Sequence, residues 1–157
     1  MKSKLALAGA VVVLGLGACQ LGWQTHGDGG SLTAQCDRDE AEFCRGNHCD
    51  LRVTVSACSA AGIKVTPDDL HLCHGRPTKT INWVLPPAGP YRFTDDGVDY
   101  KHLPDHQDFD PATKQKGPFK YSWDDKLQNG NRQYDYWIRV KDSAGNVCAT
   151  DPRISND

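Results

Sequence analysis

The sequence predicts an all-β fold, an antiparallel β-sandwich of about seven or eight short strands stapled by disulfides. Three observations carry that reading. Apolar and polar residues alternate with period two in segment after segment, the pattern of strands with one face buried. Turn-forming residues separate those segments, from a chain that holds 15 Gly and 9 Pro. Seven cysteines stand against a single methionine in 157 residues, a cysteine usage typical of oxidising compartments. The length is that of one domain. With 38% hydrophobic and 24% charged residues the chain is neither a disordered polyelectrolyte nor a multi-span membrane protein. Its 18 basic side chains against 20 acidic ones exclude nucleic acid as a natural partner.

The strands follow in order. Leu51, Val53 and Val55 share one face of a first strand, with Arg52, Thr54 and Ser56 on the other. Segment 62–66 is a second, ended by Pro67-Asp68-Asp69, and segment 70–73 continues with the same period. Segment 78–85 places Ile81, Trp83 and Leu85 opposite Thr80, Asn82 and Val84, and stops at Pro86-Pro87, because proline donates nothing to a ladder. Short strands are expected at 91–93, 98–100 and 119–123. The longest, 133–141, sets Tyr134, Tyr136, Ile138 and Val140 against Asp135, Trp137, Arg139 and Lys141, then turns at Asp142-Ser143-Ala144-Gly145-Asn146 into 147–150. Residues 37–45 have room for a turn or two of helix between cysteines. Segment 101–116, rich in Asp, Pro and His, reads as a long loop.

The N-terminus has another character. Lys2 and Lys4 precede a run from Leu5 to Ala18 without a polar or charged side chain. As a helix this run extends about 21 Å, short of the roughly 30 Å of a bilayer's hydrocarbon core, so it is read as a cleavable signal peptide. It ends in Leu16-Gly17-Ala18-Cys19, which resembles the lipobox of bacterial lipoproteins. That resemblance implies cleavage before Cys19, a diacylglycerol on its sulfur and an acyl chain such as palmitate on its amine, hence a firm membrane anchor. Gln20, in place of an aspartate, points to the outer membrane by the same resemblance. Domain organisation is then 1–18 signal peptide, 19–35 lipidated tether and 36–157 head. The tether is glycine-rich at its centre and would reach about 20–25 Å, with Leu21 and Trp23 near the lipid interface.

The seventh cysteine thus has its own fate, and Cys36, Cys44, Cys49, Cys58, Cys73 and Cys148 remain to pair. Their spacing leaves the connectivity open. Two local bridges are expected among the four between positions 36 and 58, and Cys148, without a near neighbour, is expected to reach Cys73. The absence of any C-x-x-C argues against a zinc knuckle or a thioredoxin-type redox motif.

Ile81-Asn82-Trp83-Val84-Leu85, followed by Tyr91-Arg92-Phe93 and Gly97-Val98, resembles the middle of cupredoxin-like and immunoglobulin-like sandwiches. The resemblance implies the sandwich but not its sites. Asn146 stands two before Cys148, where an immunoglobulin domain has Tyr. No His or Met follows Cys148 to complete a copper site.

Candidate chemistry is sparse. His71 and His74 flank Cys73, while His102, Asp105, His106, Asp108 and Asp110 crowd the long loop. Of these, His102, His106 and Asp108 are the metal candidates, although the spacing fits no known metal loop. No nucleophile elbow or triad pattern is visible, and the acid pairs Asp95-Asp96 and Asp124-Asp125 read as turn residues, so catalysis and bound cofactors are not expected. The outward row of the longest strand is of more interest, since Trp137 beside Arg139, joined by Trp123, would form an aromatic binding patch. A Trp packed over a neighbouring lysine stem is the plainer alternative. The expectation is a membrane-anchored envelope lipoprotein whose head binds another envelope or secreted protein, as inhibitors, immunity proteins and secretion accessories do. The rival expectation is a metal- or carbohydrate-binding periplasmic domain.

Overall fold

The computed structural model describes residues 32–101, 108–110 and 113–157. The expected signal peptide, Cys19 and most of the expected tether therefore lie outside the described residues, as do His102, Asp105 and His106.

The described chain opens with a helix, α1 (Leu32–Phe43), that begins inside the stretch expected to be tether and is longer than the turn or two anticipated. Its inward stripe is Cys36, Asp39, Glu40 and Phe43, a helical spacing of i, i+3, i+4, i+7. Two of those four are acids, which hides the stripe from any count of apolar residues. Ten strands follow: β1 (Cys44–Arg45), β2 (His48–Val55), β3 (Ile63–Thr66), β4 (Asp69–Leu72), β5 (Lys79–Val84), β6 (Arg92–Tyr100), β7 (Lys120–Asp125), β8 (Arg132–Lys141), β9 (Val147–Thr150) and β10 (Arg153–Asn156). The alternation in β2 is carried straight into burial, with Cys49, Leu51 and Val53 inside and Asp50, Arg52 and Thr54 outside.

Two five-stranded sheets result. The first runs β1-β2-β5-β7, with β3 also pairing β2; the second runs β4-β10-β8-β6, with β9 also pairing β8. Both are mixed, which corrects the expected all-antiparallel pairing. β2 and β5 run parallel, Leu51 opposite Trp83, and β4 and β10 run parallel, Leu70 opposite Ile154. A period-two pattern records which face a residue takes but not strand direction, so this was invisible in the sequence. The two short strands expected at 91–93 and 98–100 are one strand, β6, interrupted by a bulge between Phe93 and Val98. Gly97 sits in that bulge, where a Cβ would lie 2.8 Å from the Cβ of Phe93. The Tyr121 hydroxyl holds it, accepting from Gly97 N (3.1 Å) and donating to the carbonyl of Asp95.

The sheets face one another across a shared core. Trp83 of β5 meets Tyr136 of β8 edge-on at 5.3 Å between ring centres, Phe93 of β6 meets Tyr121 of β7 at 5.4 Å, and Tyr100 of β6 meets Trp123 of β7 at 4.6 Å. Phe109, from the long loop, is fully buried and stacks on Tyr100 at 4.0 Å.

All six head cysteines pair, as Cys36–Cys73, Cys44–Cys49 and Cys58–Cys148. Only one bridge is local, and Cys148 does not reach Cys73. The reason is topological. Cys73 leaves β4 beside α1, where Cys36 is waiting, whereas β9 borders the segment that connects β2 to β3 and so meets Cys58. The Cys58–Cys148 bridge spans 90 residues, a closure that stabilises by roughly 4–5 kcal/mol in the chain-entropy account.

Candidate binding cleft

The edges of β3 and β4 are treated differently. α1 covers the edge of β4. Asp39 accepts a hydrogen bond from the backbone N–H of His71 (2.9 Å) and Glu40 from that of Cys73 (2.9 Å), so two helix carboxylates take the place of a neighbouring strand. Glu40 is itself held by Lys79 (2.9 Å) and Arg76 (3.1 Å). Burial opposes its ionisation, but the Cys73 N–H, Lys79 and Arg76 together outweigh it and leave its pKa below the ordinary 4.5.

Along β3 runs a cleft of about 640 Å³. It is lined by the whole of β3, from Ile63 to Thr66, by Thr150, Asp151, Pro152 and Arg153, and by Asp68, Asp69 and Asp135. Four carboxylates line it against the two cations Lys64 and Arg153. Arg153 is engaged by Asp135 at 3.0 Å, and Lys101 reaches in to Asp151 at 2.6 Å, an interaction that lowers the Asp151 pKa. Asp69 accepts from the Ser155 hydroxyl (2.9 Å) and lies 3.6 Å from His71, whose other ring nitrogen contacts Asp157 at 2.6 Å. A serine, a histidine and two aspartates thus stand together, but the hydroxyl of Ser155 is turned to a carboxylate, which is not the order of a nucleophile and its base.

The residues singled out in the sequence are dispersed. Trp123 is a core residue, 2% exposed, whose indole N–H donates to the carbonyl of Asp110 (2.8 Å). It therefore forms no patch with Trp137, which lies on the outer face of the opposite sheet. Trp137 is half-buried beneath the ammonium of Lys101, 4.2 Å from the ring centre, with the Arg139 guanidinium at 5.6 Å. The plainer alternative of a Trp covered by a lysine thus describes it. Arg139 pairs with Asp96 at 3.2 Å.

Asp108, the described member of the metal candidates, is buried with both oxygens occupied. They accept from the N–H groups of Gln128 (2.7 Å) and Asn129 (3.1 Å), from the Asn129 amide (3.1 Å) and from the Tyr134 hydroxyl. It organises the β7–β8 turn and has no lone pair turned to an open site. Cys36, Asp37 and Cys73 are close enough together to suggest a metal cluster, but both sulfurs belong to one disulfide.

Sequence reasoning missed Asp125. The sequence reads it as a turn residue, yet it ends β7 on the inner face with Tyr121 and Trp123 and is fully buried. Its phase with those two aromatics was the available signal. One oxygen accepts from Leu127 N (2.9 Å) and the Asn156 amide (3.2 Å); the other has no hydrogen-bond partner among the described residues. Burial, against the help of Leu127 N and with the nearby Asp108 adding repulsion, raises its pKa from 3.8 to about 7.

A scan against protein-family models finds no match for the chain, and a search of curated proteins finds none either.

Proposed function

We propose that the protein is a lipid-anchored envelope lipoprotein whose head, a disulfide-stapled sandwich of the immunoglobulin-like kind, works by binding another envelope or secreted protein. The anchoring part rests on the signal peptide and the Leu16-Gly17-Ala18-Cys19 motif. The observation that carries the binding part is a cleft of about 640 Å³ that runs along the unpaired edge of β3, while α1 guards the edge of β4. The metal- and carbohydrate-binding alternatives draw less support. Asp108 is saturated by Gln128, Asn129 and Tyr134, in and beside the β7–β8 turn. The polar row on the outer face of the first sheet is bonded to itself, Asn82 to Asp50 (2.8 Å), Ser122 to Asn82 (2.7 Å) and Thr80 to Asp124 (2.7 Å).

Two measurements test this reading. Radiolabelled palmitate fed to the expressing cells should enter the wild-type protein and not the Cys19→Ala variant; equal labelling of both refutes the anchor. A photo-crosslinking residue placed at Lys64 should capture a discrete envelope or secreted protein, while the same residue at Glu42, on the exposed face of α1, should not. Equal capture at the two positions refutes a dedicated binding side.

A further inference from the structure

We infer, resting on that reading, that the cleft takes an extended, basic segment of its partner as an added strand along β3. The register fixes which backbone groups are on offer. Ser56 N donates to Gly62 O (2.8 Å), and the pairs beyond it are Val55 with Ile63, Thr54 with Lys64, Val53 with Val65 and Arg52 with Thr66. In an antiparallel ladder, bonded pairs alternate, so Lys64 and Thr66 turn their N–H and C=O groups toward β2, while those of Ile63 and Val65 face the cleft. The Ile63 N–H closes the preceding turn onto Ala60. The Val65 N–H and the carbonyls of Ile63 and Val65 remain, and no other strand pairs with β3 among the described residues. Other edges are treated differently. The β4 edge is capped by Asp39 and Glu40, and at β7 the backbones of Gln115 and Ser122 exchange both hydrogen bonds (2.9 and 3.0 Å).

Size and charge identify the occupant. A four-residue strand, about 13 Å long, spaced about 4.8 Å from its neighbour and about 10 Å across its side chains, fills roughly 620 Å³. The cleft measures about 640 Å³. Of its four lining carboxylates Asp135 is held by Arg153 and Asp151 by Lys101, while the exposed Asp68 has no cationic partner among the described residues. A segment with a Lys or Arg that reaches Asp68, and a small apolar residue over Val65 and Pro152, matches that lining. A second copy of this chain does not, since it would bring the same carboxylates face to face.

The test uses the intact protein and a fluorescent hexapeptide alternating valine and lysine, followed by anisotropy. Saturable binding is expected, weaker for the valine–glutamate counterpart. N-methylation of the peptide amides that face β3 should weaken binding by about tenfold or more, the consequence of deleting backbone hydrogen bonds and leaving buried partners unmade. Asp68→Asn should weaken the lysine peptide and leave the glutamate peptide unweakened. In Val65→Pro, which removes the one outward donor, binding should be lost; if that variant fails to fold, the N-methylated peptide decides alone. No binding, indifference to N-methylation, or preference for the glutamate peptide overturns the inference. If crosslinking from Lys64 nevertheless captures a partner, the binding-module reading stands and strand addition alone falls.

Discussion

Asp125 offers the sharpest test of the core, because a single isosteric change removes its charge. The carboxyl is fully buried at the end of β7, and the residue opposite it in register, Lys79, sends its ammonium away to Glu40. The groups that face Asp125 are Asp108, the amide of Asn156 and the hydroxyls of Tyr134 and Tyr100, the last buried without a hydrogen-bond partner among the described residues, and none of these is a cation. Folded, the group keeps its proton to about pH 7; unfolded, it releases it near 3.8. Across that window the native state binds more protons than the unfolded chain, so stability falls as pH rises, then levels off above about pH 7. At about 1.36 kcal/mol for each tenfold change in proton affinity, the loss is on the order of 4 kcal/mol as an upper bound. Asn at this position keeps an acceptor for Leu127 N and never ionises. Urea unfolding of wild type and Asp125→Asn, followed by tryptophan fluorescence with disulfides intact, should give similar stabilities near pH 4. At pH 8 the variant should be the more stable by up to that amount. A variant less stable at pH 8, or a difference that does not change with pH, refutes the account of a charge buried without compensation.

Two further predictions follow from the edges and staples. Glu40→Gln should cost roughly 3 kcal/mol at neutral pH, because the buried Lys79 loses its counter-ion. Since the folded pKa of Glu40 is depressed, its contribution is present above about pH 4.5 and is lost as pH falls through the lower folded value, so wild type and variant should converge in acid unfolding curves. Replacing Cys58 and Cys148 together by Ser should lower stability by roughly 4–5 kcal/mol, and replacing Cys44 and Cys49 by distinctly less, because the loops closed span 90 and 5 residues; calorimetry that ranks them the other way contradicts the loop argument.

The strands that were legible in the sequence are those whose inner residues are apolar. Leu51 and Val53, Ile81 and Trp83, and Tyr136, Ile138 and Val140 declare β2, β5 and β8 by alternation alone. β10 was not legible, for it buries Ser155 and Asn156 beside a single isoleucine and reads as a polar tail. The stripe of α1 was hidden in the same way by Asp39 and Glu40. In both cases polar residues are inside because they serve backbone or side-chain groups of a neighbour, and hydrophobic periodicity is blind to that use. The cleft was beyond reach for a different reason. It arises where β3, β9 and β10 diverge, and neither strand direction nor partner order is written in a period of two. Trp137 was placed correctly on an outer face, but Lys101, which covers it, follows a strand far away in sequence.

Strand addition along β3 would be weak on its own. A four-residue edge with three free backbone groups supports two or three hydrogen bonds, each worth about 1 kcal/mol net, and a salt-sensitive attraction to Asp68. The proposed anchor changes that balance. With α1 beginning at Leu32, the head starts within the 19–35 stretch expected to be tether. A partner held at the same membrane then meets the cleft at an effective concentration in the millimolar range, enough to populate a contact that dilute solution would not. On this argument, removing lipid from Cys19 and removing the open edge of β3 disable the same interaction by different routes: the first lowers the concentration at which the strands meet, the second removes the hydrogen bonds they form.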